Sequence, residues 1–187
     1  MKSLLLTLFS TKRGLKILDE EFEDDLYRKS LLIFGVYEMI QFITDFKKEA
    51  YENRILQIFL EFGLSILFSI IVGLIFSYML YQVGKWFNGN SNFIEVFSLL
   101  AYSYFPIIIG LIIIIIFKET NYEIGGIKNT SLFNFILLLS WLLSGKIIFQ
   151  GLLKFNDYGI VKAILNLSIL IGLIVGLYFL LPYLIIS

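Results

Sequence analysis

The sequence predicts an all-α integral membrane protein, a bundle of five transmembrane helices preceded by an N-terminal amphipathic interfacial helix. Two observations carry this. The chain of 187 residues is 58% hydrophobic with a mean hydropathy of +0.86, well beyond the composition of soluble domains. Its apolar residues fall into five runs separated by short polar segments: Ser30–Phe46, Ile55–Val83, Phe93–Phe117, Leu132–Phe149 and Ile160–Ile186. A helix needs about 20 residues to cross about 30 Å of hydrocarbon. The second, third and fifth runs reach that length and the fourth comes close. The first is shorter and carries Glu38 and Gln41, which makes it the weakest of the spans.

The N-terminus does not read as a cleavable signal, because Leu4–Phe9 is short and Lys12 and Arg13 follow at once. Leu4, Leu8, Leu15, Leu18 and Phe22 instead recur at helical spacing. Lys2, Lys12, Arg13 and Lys16 are placed to meet lipid head groups, so residues 1–18 read as the interfacial helix. The following run, Asp19 to Asp25, holds six acids around Phe22 and reads as a solvated face or a dock for a basic partner. Two units result: residues 1–29 as a cytoplasmic amphipathic and acidic segment, and residues 30–187 as the five-helix transmembrane domain.

Basic residues set the expected orientation. With the N-terminus inside, the inner segments hold Lys2, Lys12, Arg13, Lys16, Arg28, Lys29, Lys85, Lys146, Lys154 and Lys162. The outer segments hold Lys47, Lys48, Arg54, Lys118 and Lys128, ten against five of the 15 basic residues. Five spans then put the C-terminus outside.

Small residues recur every fourth position in two spans: Ser65, Ser69, Gly73 and Ser77 in the second, and Ser168, Gly172 and Gly176 in the fifth. Ser98, Tyr102, Pro106 and Gly110 do so in the third, and Ser140 and Ser144 in the fourth. Burial of apolar surface cannot drive helices together in lipid, whereas small rows let backbones approach. These rows therefore read as helix-packing positions, or as the seam of a homo-oligomer. Pro106 lies mid-span, removes a backbone donor and predicts a kink. Two turns resemble each other: Lys85-Trp86-Phe87-Asn88-Gly89 before the third span, and Lys154-Phe155-Asn156-Asp157-Tyr158-Gly159 before the fifth. Gly125-Gly126 reads as a flexible outer turn.

Composition excludes much chemistry. Cysteine and histidine are absent, which removes disulfides, thiol catalysis, the usual zinc ligands and imidazole acid–base chemistry. No Gly-rich phosphate loop, nucleophile–base pair or metal motif is present. No catalytic residue, cofactor or metal is expected, and a net charge of zero gives no reason to expect nucleic acid. The intramembrane acids Glu38 and Glu61 are the exception. Antiparallel packing of the first two spans brings them to similar depth, and a carboxylate in hydrocarbon is a functional candidate. They make a small cation- or proton-coupled transporter or channel the rival reading. The reading against it has both acids near the outer interface.

The polar turn into Phe93-Ile94-Glu95-Val96, then Leu100-Ala101-Tyr102-Ser103-Tyr104-Phe105-Pro106, and the Trp141 to Ala163 stretch together resemble the Yip family, membrane proteins first known for binding Ypt/Rab GTPases. The resemblance extends over nearly the whole chain. It implies five spans, no established catalytic residue, and a non-enzymatic accessory, assembly or trafficking role through helix–helix and N-terminal contacts. Eukaryotic members carry a longer N-terminus that contacts GTPases, and this chain departs from them there. Its Ile/Lys/Asn-rich composition looks bacterial, which implies a plasma (inner) membrane location. Bacterial members imply partners such as ABC-type export subunits, besides the bilayer itself.

Overall fold

The computed structural model describes residues 2–45, 55–120 and 129–186, and all regular structure among them is helical. In chain order the helices are α1 (Lys2–Phe9), α2 (Thr11–Asp19), α3 (Glu23–Asp45), α4 (Ile55–Trp86), α5 (Phe93–Ser103), α6 (Phe105–Thr120), α7 (Asn129–Phe155) and α8 (Ile160–Ile186). The five apolar runs map onto α3, α4, α5 with α6, α7 and α8. Among the described residues, three stretches are long and apolar enough to cross a membrane: Leu56–Trp86, Phe93–Phe117 and Ser131–Phe155. The 32 residues of α4 make a rod of about 48 Å at 1.5 Å per residue, which exceeds the hydrocarbon thickness. The expected loop between the first two runs and the Gly125-Gly126 turn lie outside the described residues.

The bundle is built around α5. Every residue from Val96 to Ser103 is buried, Ser98, Tyr102 and Ser103 among them. α3, α4 and α7 pack against it. A capping box starts α5: Asn92 Oδ1 accepts from the Glu95 amide, and Glu95 Oε2 accepts from the Asn92 amide, both at 2.8 Å. Aromatic rings fill the α3–α5 contact, with Phe34 5.4 Å from Phe97 and Tyr27 5.7 Å from it. Deeper along α3, Tyr37 meets Tyr104 edge-on at 4.6 Å.

The third apolar run is two helices. α5 ends at Ser103 and α6 begins at Phe105, with Tyr104 between them in helical backbone angles. Pro106 supplies no N–H for the Tyr102 carbonyl. The Tyr104 amide bonds the Ala101 carbonyl instead, and the ladder resumes with Ile108 to Tyr104 at 2.9 Å.

The N-terminal region also differs from one continuous helix over residues 1–18. The chain breaks at Ser10, between α1 and α2. An added Cβ at Gly14 would fall on the backbone of Thr7, so α2 approaches α1 too closely for a side chain there. Leu15 and Leu18 are buried, whereas Phe22 is 82% exposed.

Candidate functional site

α1 and α2 form a cap seated on the bundle. Its inner face is polar and small: Ser3, Thr7 and Thr11 are all buried. The Ser3 hydroxyl lies 3.1 Å from the hydroxyl of Tyr102 on α5. Thr7 donates to its own helix, to the Leu4 carbonyl at 2.6 Å. On α2, Leu15 and Leu18 enter the core that α5 and α7 build. Lys154, in the last turn of α7, donates to the Leu15 carbonyl at 2.8 Å and pairs with Asp19 at 3.0 Å. One lysine thus ties both backbone and side chain of the cap to a spanning helix.

The cap positions the acidic run as a turn between α2 and α3. Glu21 pairs with Lys29 at 2.6 Å. Hydrogen bonding to Glu21 raises the Lys29 pKa above the ordinary lysine value, against the opposing effect of burial. Glu23 accepts from the Asn92 amide group at 2.9 Å, linking the start of α3 to the cap of α5. Glu20, Asp24 and Asp25 remain exposed. Phe22 stands among these acids, so its exposed ring has a charged setting, unlike the exposed Phe59 and Phe68 of α4. The arrangement is an anionic surface with one apolar knob.

The two similar turns meet at one end of the bundle. α4 ends in a Schellman motif: the Gly89 amide bonds the Gly84 carbonyl at 2.9 Å and the Asn88 amide bonds the Lys85 carbonyl at 3.0 Å. Asn88 (φ 59°) and Asp157 (φ 51°) are both left-handed. Asn156 joins the turns, its Oδ1 accepting from Ser91 Oγ at 2.7 Å and its carbonyl from the Asn90 amide at 3.2 Å. Lys162 adds a bond to the Phe87 carbonyl at 3.0 Å. Behind them, buried Asn166 of α8 donates to Tyr158 Oη at 2.6 Å. Burial raises the Tyr158 pKa and that bond partly offsets it.

A family model, the Yip1 domain, matches residues 27–182. The chain belongs to the Yip1 family. It is an integral membrane protein of that family, with the matched region running from the first part of α3 into α8. No curated protein and no solved structure matches it. The cap and the acidic turn precede the matched Yip1 region.

Within the Yip1 domain, the residues singled out by sequence separate into packed and exposed groups. Gly73 faces α3: an added Cβ would lie 2.6 Å from Phe34 Cζ. Ser77 is buried and donates to the Gly73 carbonyl at 2.7 Å, and Ser65 donates to the Phe62 carbonyl at 2.9 Å. Ser69 is half-buried. The row on α8 is placed differently. Ser168 and Gly172 are exposed and Gly176 is half-buried, and an added Cβ at either glycine meets no atom within 4 Å. α8 packs through Ala163, Asn166 and Leu170, a face one to two residues away.

Glu38 and Glu61 are both half-buried. Glu61 accepts from Gln57 at 2.7 Å on its own helix. Phe42 meets Phe62 at 5.3 Å, which sets the α3–α4 register one turn after Glu38 and beside Glu61. Among the described residues no group of three or more acids could hold a metal ion. Sequence reasoning placed Asn156 in a turn but missed its bonds to the other turn, and it missed Asn166 and the Asn92 cap. The Asn92-x-x-Glu95 spacing signals the cap, and a lone asparagine inside the apolar run of α8 is the signal for Asn166.

Proposed function

We propose that this Yip1-family protein is a non-enzymatic accessory, assembly or trafficking factor that works by holding a partner rather than by chemistry. The observation that carries the reading is the acidic turn with exposed Phe22, fixed in place by the Asp19–Lys154 and Glu21–Lys29 pairs. A basic partner segment with an apolar pocket fits such a surface. Buried polar groups elsewhere serve to join helices, as Ser30 does to Ser98 at 3.0 Å. An ABC-type export system is one membrane assembly that such a factor would serve.

The same proposal takes α3 and α8 as the first and fifth spans around the three stretches that qualify by length and composition. Residues 1–29 then form the cytoplasmic amphipathic and acidic segment, residues 30–187 the transmembrane unit, and the C-terminus lies outside a bacterial plasma membrane. The ten-to-five division of basic residues supports this orientation. The row Ser168, Gly172 and Gly176, exposed at its first two positions, is offered to a partner helix or a second copy.

Affinity purification in mild detergent with quantitative mass spectrometry tests the reading. Phe22→Ser and the Asp24→Asn/Asp25→Asn variant lose a partner that the wild type recovers. Glu38→Gln and Glu61→Gln keep it. Retention by the first two variants, with loss of transport in the two glutamine variants, contradicts the accessory role.

A further inference from the structure

A groove of about 400 Å³ lies between α2 and α7, lined by Lys12, Leu15, Lys16, Gln150, Leu153 and Lys154. Lys12 and Lys16 are one helical turn apart and exposed, and Lys154 reaches the same groove from α7. Asp19 is the only carboxylate among the described residues that pairs with any of the three, leaving the groove with an excess of positive charge. Its lining thus combines two leucines with three lysines and Gln150.

The groove sits where the apolar stretch Ser131–Phe155 ends, the depth at which head groups meet hydrocarbon. Lys146, one turn from Gln150 on the same face of α7, is exposed within the apolar stretch, where an ammonium gains from a nearby anion.

We infer that this groove binds the headgroup of an anionic phospholipid, with phosphatidylglycerol as the type. The phosphate lies among Lys12, Lys16 and Lys154, and the acyl chains run down the lipid-facing side of α7. Basic pockets at the membrane boundary recognise anionic lipids in this way. Lipid held here would bridge α2 to α7 and reinforce the link that Lys154 already makes.

The test is a thermal melt of the full chain in neutral detergent with added lipid. Phosphatidylglycerol raises the melting temperature saturably, whereas phosphatidylcholine with the same chains and inorganic phosphate do not. Lys12→Gln/Lys16→Gln melts like wild type without lipid, but its half-saturating phosphatidylglycerol concentration rises on the order of tenfold or more. Arg13→Gln/Arg28→Gln removes the same charge away from the groove and keeps the wild-type response. Equal stabilisation by phosphatidylcholine or by inorganic phosphate overturns the lipid site. An equal shift in both double variants overturns it in favour of general surface charge.

Discussion

The hydroxyls of Ser3 and Tyr102 lie 3.1 Å apart across 99 residues of sequence, joining the first turn of the chain to the most buried helix of the bundle. Tyr102 is fully buried, so its hydroxyl depends on this contact. Tyr102→Phe leaves Ser3 without its partner and lowers stability by about 1–2 kcal/mol. A detergent thermal melt reads this as a lower midpoint, and an unchanged midpoint shows that the contact does not hold α1.

Glycine positions make a second prediction. Gly151 on α7 faces Leu99 of α5 so closely that an added Cβ would overlap its side chain. Leu99 is itself buried and has little room to yield. Gly151→Leu therefore destabilises by about 1–3 kcal/mol through overpacking. Gly172→Leu enters open space and changes the melt by no more than about 0.5 kcal/mol, or raises it through better helix propensity. A purified pair of variants decides between the α5–α7 contact and the α8 row as the packed seam.

The turn at the end of α4 requires left-handed backbone at Asn88, φ 59°. Asn88→Gly adopts it freely, whereas Asn88→Val pays about 1–2 kcal/mol for the β-branched side chain. Asn156→Leu has a larger reach, because it removes the acceptor of Ser91 and crowds Gly84 and Gly89. It leaves a buried hydroxyl without its partner, at about 1–3 kcal/mol. Melting of the three variants in the order Gly, Val, Leu, from most to least stable, checks the turn chemistry.

Much of the fold was legible because spans announce themselves by apolar length. Runs at Ile55–Val83 and Leu132–Phe149 became α4 and α7 with added polar turns at their ends, since helices continue past the hydrocarbon. The break at Tyr104 followed from Pro106. Which face each helix buries was less legible. In a lipid-bathed helix polar and small residues do not mark the packed side uniquely, so the Ser168 row pointed outward while Asn166 pointed in. The polar side of the N-terminal helices carried no such signal: Ser3 is buried where it meets the Tyr102 hydroxyl, and Thr7 where α1 meets Gly14 of α2. Long-range partners such as Lys154 and Asp19 carry no local signature at all.

Orientation has its own test. Reporter fusions at Ser187 give alkaline phosphatase activity and no fluorescence when the C-terminus is external, as the charge division predicts. A fluorescent, phosphatase-negative fusion means an even number of spans or an inverted protein.

Seating of α1 and α2 on the bundle is what holds the acidic run in place, and the proposed docking role depends on it. Hydrogen exchange of the full-length protein in detergent measures it directly. The amides of Leu15 to Leu18 are predicted to be protected, because Leu15 and Leu18 are buried and Lys154 holds the Leu15 carbonyl. Their protection falls in a Lys154→Gln variant while that of α5 persists. Exchange of α2 at the rate of an unstructured segment in the wild type would contradict the seated cap.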